Sequence, residues 1–174
     1  FKPKPPPPPP PPPPAILTEP APLISPEEQA KVVKSADDQE AEVRWQAIVF
    51  LDKMKVPAAF DVMFEKMKKD PDVDVRVKII ALLGQRGGQR LAEISQRLVA
   101  ATRDPLPEIR IAALQALDAL GDYSVGSAVT DCLKDPDERV KLQALKTLNS
   151  LQDKKAAMIE AERRRQEELR RKSE

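Results

Sequence analysis

The sequence predicts an all-α fold: a right-handed α-solenoid of about four helical hairpins, preceded by a proline-rich arm. Three observations carry this. A block headed by aspartate, with a basic residue six positions on, returns four times. Apolar residues within each block recur in steps of three and four, which places them on one face of a helix. Of the 19 prolines, 14 lie in the first 26 residues, so composition divides the chain into an arm and a foldable remainder. The expected organisation is an arm over 1–25, a repeat domain over 26–155 and a charged helical extension over 156–174.

The arm comes first. Pro5 to Pro14 is an unbroken run of ten prolines. It can form neither helix nor ladder and favours a polyproline II rod, about 30 Å long at ~3.1 Å per residue. Its expected role is a semi-rigid spacer. Lys2 and Lys4 beside the run also suit a docking strip for an aromatic-lined groove. Such spacers follow membrane anchors, and with Phe1 as the first residue an anchor ahead of it is an expectation. The compartment stays open between cytoplasm and periplasm. "SPEE" at 25–28 then predicts a short capped helix, with Ser25 accepting from the backbone and Glu28 closing the box.

The repeat follows. Asp38, Asp70, Asp104 and Asp135 head the four blocks, with spacings of 32, 34 and 31. Five residues on come Val43, Val75, Ile109 and Val140; six on, Arg44, Arg76, Arg110 and Lys141. Positions seven, ten and thirteen on are apolar in every block, ending with Leu142, Leu145 and Leu148 in the last. Asp-Pro at 70–71, 104–105 and 135–136 reads as a helix start, the carboxylate capping free N–H groups. Gly87–Gly88 and Gly121 read as stops. A second helix follows in each block, on stripes such as Met63, Phe64, Met67 in the first and Ile94, Leu98 in the second. One hairpin cannot bury both faces, so units of this period stack.

These residues resemble the HEAT repeat family, most closely its short subclass, the HEAT-like repeats of the phycobilisome-lyase type. Asp104, Pro105, Ile109, Arg110 and "LDALG" at 117–121 carry the resemblance, with Asp135, Pro136, Val140 and Lys141 in the next unit; it covers residues 36–155. It implies that Asp and Arg pair as a ladder between neighbouring units. That gives Asp38, Arg44, Asp70, Arg76, Asp104, Arg110, Asp135 and Lys141 a structural role, with Lys141 the weaker member for want of a planar fork. It also implies that partners bind on the inner surface or the exposed ends.

The C-terminal "AERRRQEELRRKSE" has little apolar face and several i,i+4 pairs, such as Glu160 with Arg164. It reads as a solvated continuation of the last unit's second helix.

Chemistry is scarce. There is no histidine, which removes the commonest general base and metal ligand, and with it the His–Glu pairs that HEAT-type metal hydroxylases need. Asp70, Asp72 and Asp74 match early calcium-loop positions, but Val75 replaces the loop glycine and Ala81 the final glutamate. "GQRGG" at 84–88 lacks the Lys-Ser/Thr ending of a phosphate loop. Cys132 lies in an apolar stripe and reads as core. No catalytic, metal or cofactor residue is assigned.

The expected function is a non-catalytic protein-interaction scaffold or accessory subunit of a larger, membrane-associated assembly. Candidate contacts are Phe50 on an exposed end, the basic row Lys69, Arg103 and Lys134, and the polar residues Glu65, Gln96 and Thr130 beside it. The alternative is a HEAT-like lyase or cofactor-assembly factor. A nucleic-acid-binding solenoid using the basic row and "RRR" ranks below both, because the net charge is only +1.

Overall fold

The computed structural model describes residues 21–173. The proline run falls outside them. Among the described residues the chain is helical and strand-free, with eight α-helices: α1 (Pro26–Ser35), α2 (Ala41–Lys53), α3 (Ala59–Lys69), α4 (Val73–Gly84), α5 (Leu91–Ala101), α6 (Pro107–Leu120), α7 (Gly126–Asp131) and α8 (Glu138–Ser173). They form four antiparallel hairpins, α1–α2 through α7–α8. The even-numbered helices make one layer of the solenoid and the odd-numbered helices the other.

Local chemistry sets several of the boundaries. Ser25 Oγ accepts from Glu28 N at 3.2 Å, and Ser25 N donates to Glu28 Oε2 at 2.7 Å, so α1 opens with the full capping box. Gly121 ends α6 at φ +71°, a left-handed conformation that glycine adopts without a Cβ clash.

The Asp-Pro pairs do not start helices, and here the structure corrects the sequence reading. Asp70 Oδ1 accepts from Asp72 N, Asp104 Oδ1 from Leu106 N and Asp135 Oδ1 from Asp137 N, each at 2.9 Å. These are turns closed by the aspartate three residues ahead of the first helical residue. The cap of α4 is Asp72, accepting from Val75 N at 3.0 Å, and the first-turn proline of α6 is Pro107. The other face of each leading aspartate is thereby left to meet a neighbouring unit.

Side chains from both layers fill one core. Ile48, Leu51, Met63, Ile79, Ile80, Leu83, Ile94, Leu98, Ile109, Leu114, Leu117 and Val129 are fully buried, each gaining about 1.5–3 kcal/mol from leaving water. The even-numbered helices pack closely. A Cβ on Gly84 would lie 2.8 Å from Ala116 Cα, so only glycine lets α4 and α6 approach this far. Thr147 Oγ donates to Leu114 O at 3.1 Å across the α6–α8 contact.

The two ends explain the exceptions to the apolar pattern. Leu142 and Leu145 align with core positions yet are 54% and 49% exposed, because among the described residues no further unit covers α8. Val43 is 41% exposed for the mirror-image reason, since among the described residues no even-numbered helix precedes α2. Finally, α8 is one unbroken helix of 36 residues. The charged extension therefore continues the last unit's first helix, not a second helix as the sequence suggested.

Candidate functional site

The Asp–Arg positions come first, because they fix how the odd-numbered helices sit. Arg44 donates through Nε and Nη2 to Asp70 at 2.9 and 2.8 Å, and through Nη1 to the carbonyls of Asp38 and Gln39. Arg110 does the same to Asp135 at 2.8 and 2.9 Å, and to the carbonyls of Asp104 and Pro105. Arg76 pairs with Asp104 and donates to Met67 O at 2.9 Å. Each arginine thus joins its own unit to the aspartate of the next. Lys141 turns to Glu138 at 2.6 Å in its own helix, and the Asp38 carboxylate accepts only from Glu40 N. Burial pushes the Asp70 carboxyl up, but the Arg44 fork and the Asp72 amide outweigh it and hold it below the ordinary value. Asp135 is held down in the same way by Arg110.

With those acids occupied, the odd-numbered layer presents a row of cations, with Asp122 and Asp131 among the carboxylates beside it. A groove of about 260 Å³ lies between α3 and α5, bordered by Phe64, Lys68, Arg97 and Arg103. A second of about 560 Å³ lies between α5 and α7, bordered by Gln96, Arg103, Asp122 and Asp131. A third of about 350 Å³ continues to Lys134 and again includes Arg103. Arg103 is the one side chain common to all three. Lys68, Arg97, Arg103 and Lys134 form no ion pair among the described residues, while Lys69 lies 3.9 Å from Glu65. The Arg97 guanidinium lies over the Phe64 ring, 5.0 Å from its centre, a cation–π contact at the groove.

The predicted contact residues divide accordingly. Gln96, Arg103 and Lys134 border these grooves, while Glu65 and Lys69 line a neighbouring one with Asp61, Phe64 and Arg97. Thr130 spends its hydroxyl on Gly126 O at 2.8 Å. Phe50 is half-buried on α2, away from them; its counterparts Ala116 and Thr147 face the preceding even-numbered helix, so Phe50 lies on the N-terminal end of the stack. Sequence reasoning missed Lys68 and Arg97. The signal available was their placement beside an aromatic residue on the same row. Cys132 is buried, its thiol pushed up chiefly by burial, with Sγ donating to Ala128 O at 3.6 Å. No group of three or more His, Cys, Asp or Glu among the described residues could hold a metal ion. No helix among them is long and apolar enough to cross a membrane.

Comparison with known proteins fits this geometry. Residues 94–172 match the family described as HEAT repeats. No curated protein matches the chain in sequence. Among solved structures, human deoxyhypusine hydroxylase in complex with glycerol is similar, with a TM-score of 0.62 and 22% identity over 72% of this chain. The chain spans 44% of that protein's length. At this identity the likeness shows a shared HEAT-like solenoid, and the chain contains a helical region of HEAT-repeat type. The finer assignment to phycobilisome-lyase repeats gains nothing from either comparison.

The likeness also corrects the functional expectation. A non-catalytic scaffold, and the exclusion of an enzyme, were inferred from missing motifs. The same architecture houses a hydroxylase, so the solenoid gives no ground for that exclusion. The physical reason is that a stacked core leaves the groove-facing side chains free to carry any chemistry.

Proposed function

We propose that this chain is the substrate-recognising part of an enzyme or cofactor-assembly factor built on a HEAT-like solenoid, and that it holds an acidic protein segment across its odd-numbered layer. One observation carries the reading: four cations without carboxylate partners gather along grooves that share Arg103, beside the aromatic floor of Phe64. Unpaired guanidiniums beside an aromatic ring suit carboxylates displayed on a peptide. The likeness to a hydroxylase supports the enzymatic setting. This reading takes the stack as right-handed, its units as the short lyase type, and the proline run as a spacer that holds the solenoid off a membrane or a larger assembly.

The test is fluorescence anisotropy with a labelled glutamate-rich peptide carrying one aromatic residue, against a lysine-rich peptide of equal length. The acidic peptide is expected to bind, and Arg97→Glu with Arg103→Glu to weaken it at least about tenfold. Equal binding by the variant would sink the reading. Stronger, steeply salt-dependent binding of single-stranded nucleic acid would replace it with a nucleic-acid function.

A further inference from the structure

The α2–α3 and α4–α5 turns lie at the opposite end of the helices from the Asp-Pro turns, and they enclose a cavity of about 670 Å³. That volume is in the range of small-molecule sites. Its floor is apolar, formed by Val56, Pro57, Ala59 and Phe60. Its rim is basic, with Lys53, Lys55, Arg86 and Arg90 against the single carboxylate Asp52.

The cations are not equivalent. Arg86 is committed, donating through Nε to Asp52 Oδ1 at 2.9 Å and pairing with it through Nη2. Arg90 is held more loosely. Its guanidinium lies 4.7 Å from the centre of the Phe60 ring, and it makes only a half-exposed ion pair with Glu93, Nε to Oε2 3.6 Å, too long for a hydrogen bond. Its Nη1 is buried and has no hydrogen-bond partner, the one side-chain atom so placed among the described residues. A charged N–H removed from water without an acceptor is costly and calls for a cause. Lys53 and Lys55 are exposed, make no ion pair among the described residues, and flank it on the rim. Lys55 has φ +52° because it closes α2 in a Schellman turn, with Lys55 N donating to Asp52 O and Val56 N to Leu51 O, and this turn sets both lysines at the rim.

We infer that this cavity binds a small organic oxyanion, a carboxylate or phosphate carried on an apolar or aromatic body. The oxyanion accepts from the half-exposed Arg90 guanidinium, Lys53 and Lys55 close over it, and the body lies on Val56, Pro57 and Phe60. The site is distinct from the peptide grooves and does not depend on them. In the sequence "GQRGGQR" at 84–90 reads as a helix terminator, and the two arginines flanking the glycine pair are its functional content.

Isothermal titration of the whole chain with phenyl phosphate, benzoate, inorganic phosphate and benzylamine tests this. At least one aromatic anion is expected to bind more tightly than inorganic phosphate, with benzylamine inert. The preferred anion tells a phosphate site from a carboxylate site. Arg90→Gln is expected to lose at least about tenfold in affinity, with Arg90→Lys restoring part of it. Lys53→Gln and Lys55→Gln, both exposed and safe for folding, each lose several-fold. No aromatic anion binding, benzylamine binding as well as the anions, or full affinity in Arg90→Gln and both lysine variants would overturn the inference.

Discussion

At the scale of single residues, the arginine at the sixth position of each unit decides how units join. The side chains of Arg44 and Asp70 are 6% and 0% exposed, and every polar atom of the pair is engaged. Removing one partner of such a pair leaves the other charge buried, at a cost of about 3–5 kcal/mol. Asp70→Asn is therefore expected to destabilise the protein by an amount in that range, read from urea denaturation. The pH dependence follows the same residue. The folded Asp70 carboxyl lies below its ordinary value, so its contribution is fully present above the unfolded pKa of about 3.9. It is lost as pH falls through the lower folded value. Stability of the parent protein should drop on acidification below about pH 4, and in Asp70→Asn that limb should flatten. An unchanged acid limb would contradict the assignment. Residues of this kind were legible because the period places them in register. The pairing between units was expected from the repeat; what was misread was the local role, since an Asp-Pro pair looks like a helix cap and instead closes a turn ahead of the helix.

At the scale of elements, identical apolar patterns have different energies according to what lies on either side. Leu114 on α6 is fully buried between α4 and α8, whereas Leu145 at the same repeat position on α8 is 49% exposed. Leu114→Ala is expected to cost about 2–5 kcal/mol. Leu145→Ala should cost well under about 1 kcal/mol, since it removes little buried area. A comparable loss from both, measured by thermal or urea denaturation, would mean that something covers α8 in solution. The sequence could not separate these cases, because the repeat pattern records the position within a unit and not whether a neighbour follows. For the same reason it did not reveal that α8 runs unbroken for 36 residues, about 54 Å at ~1.5 Å per residue. The cations of the groove were only half legible. Lys69, Arg103 and Lys134 recur with the period, but Arg97 and Lys68 stand outside it, and their importance comes from Phe64 and from the absence of carboxylate partners.

At the scale of the whole molecule, the two layers divide the labour. The even-numbered helices, held together at Gly84 and Thr147, form the rigid backing. The odd-numbered helices, positioned by the arginine pairs, present the grooves. Functional reasoning from missing motifs was the weakest step in the sequence reading, since a solenoid carries its chemistry on side chains that the repeat leaves unconstrained. The central claim is that the odd-numbered layer, around Arg103, is the recognition surface. Amide and arginine side-chain NMR on the labelled chain, titrated with the glutamate-rich peptide, tests it most directly. The account predicts shifts concentrated on Lys68, Arg97, Arg103 and Lys134 and their neighbours, with α4 and α6 silent on their outer faces. Shifts confined to the even-numbered helices or to α8 would contradict it.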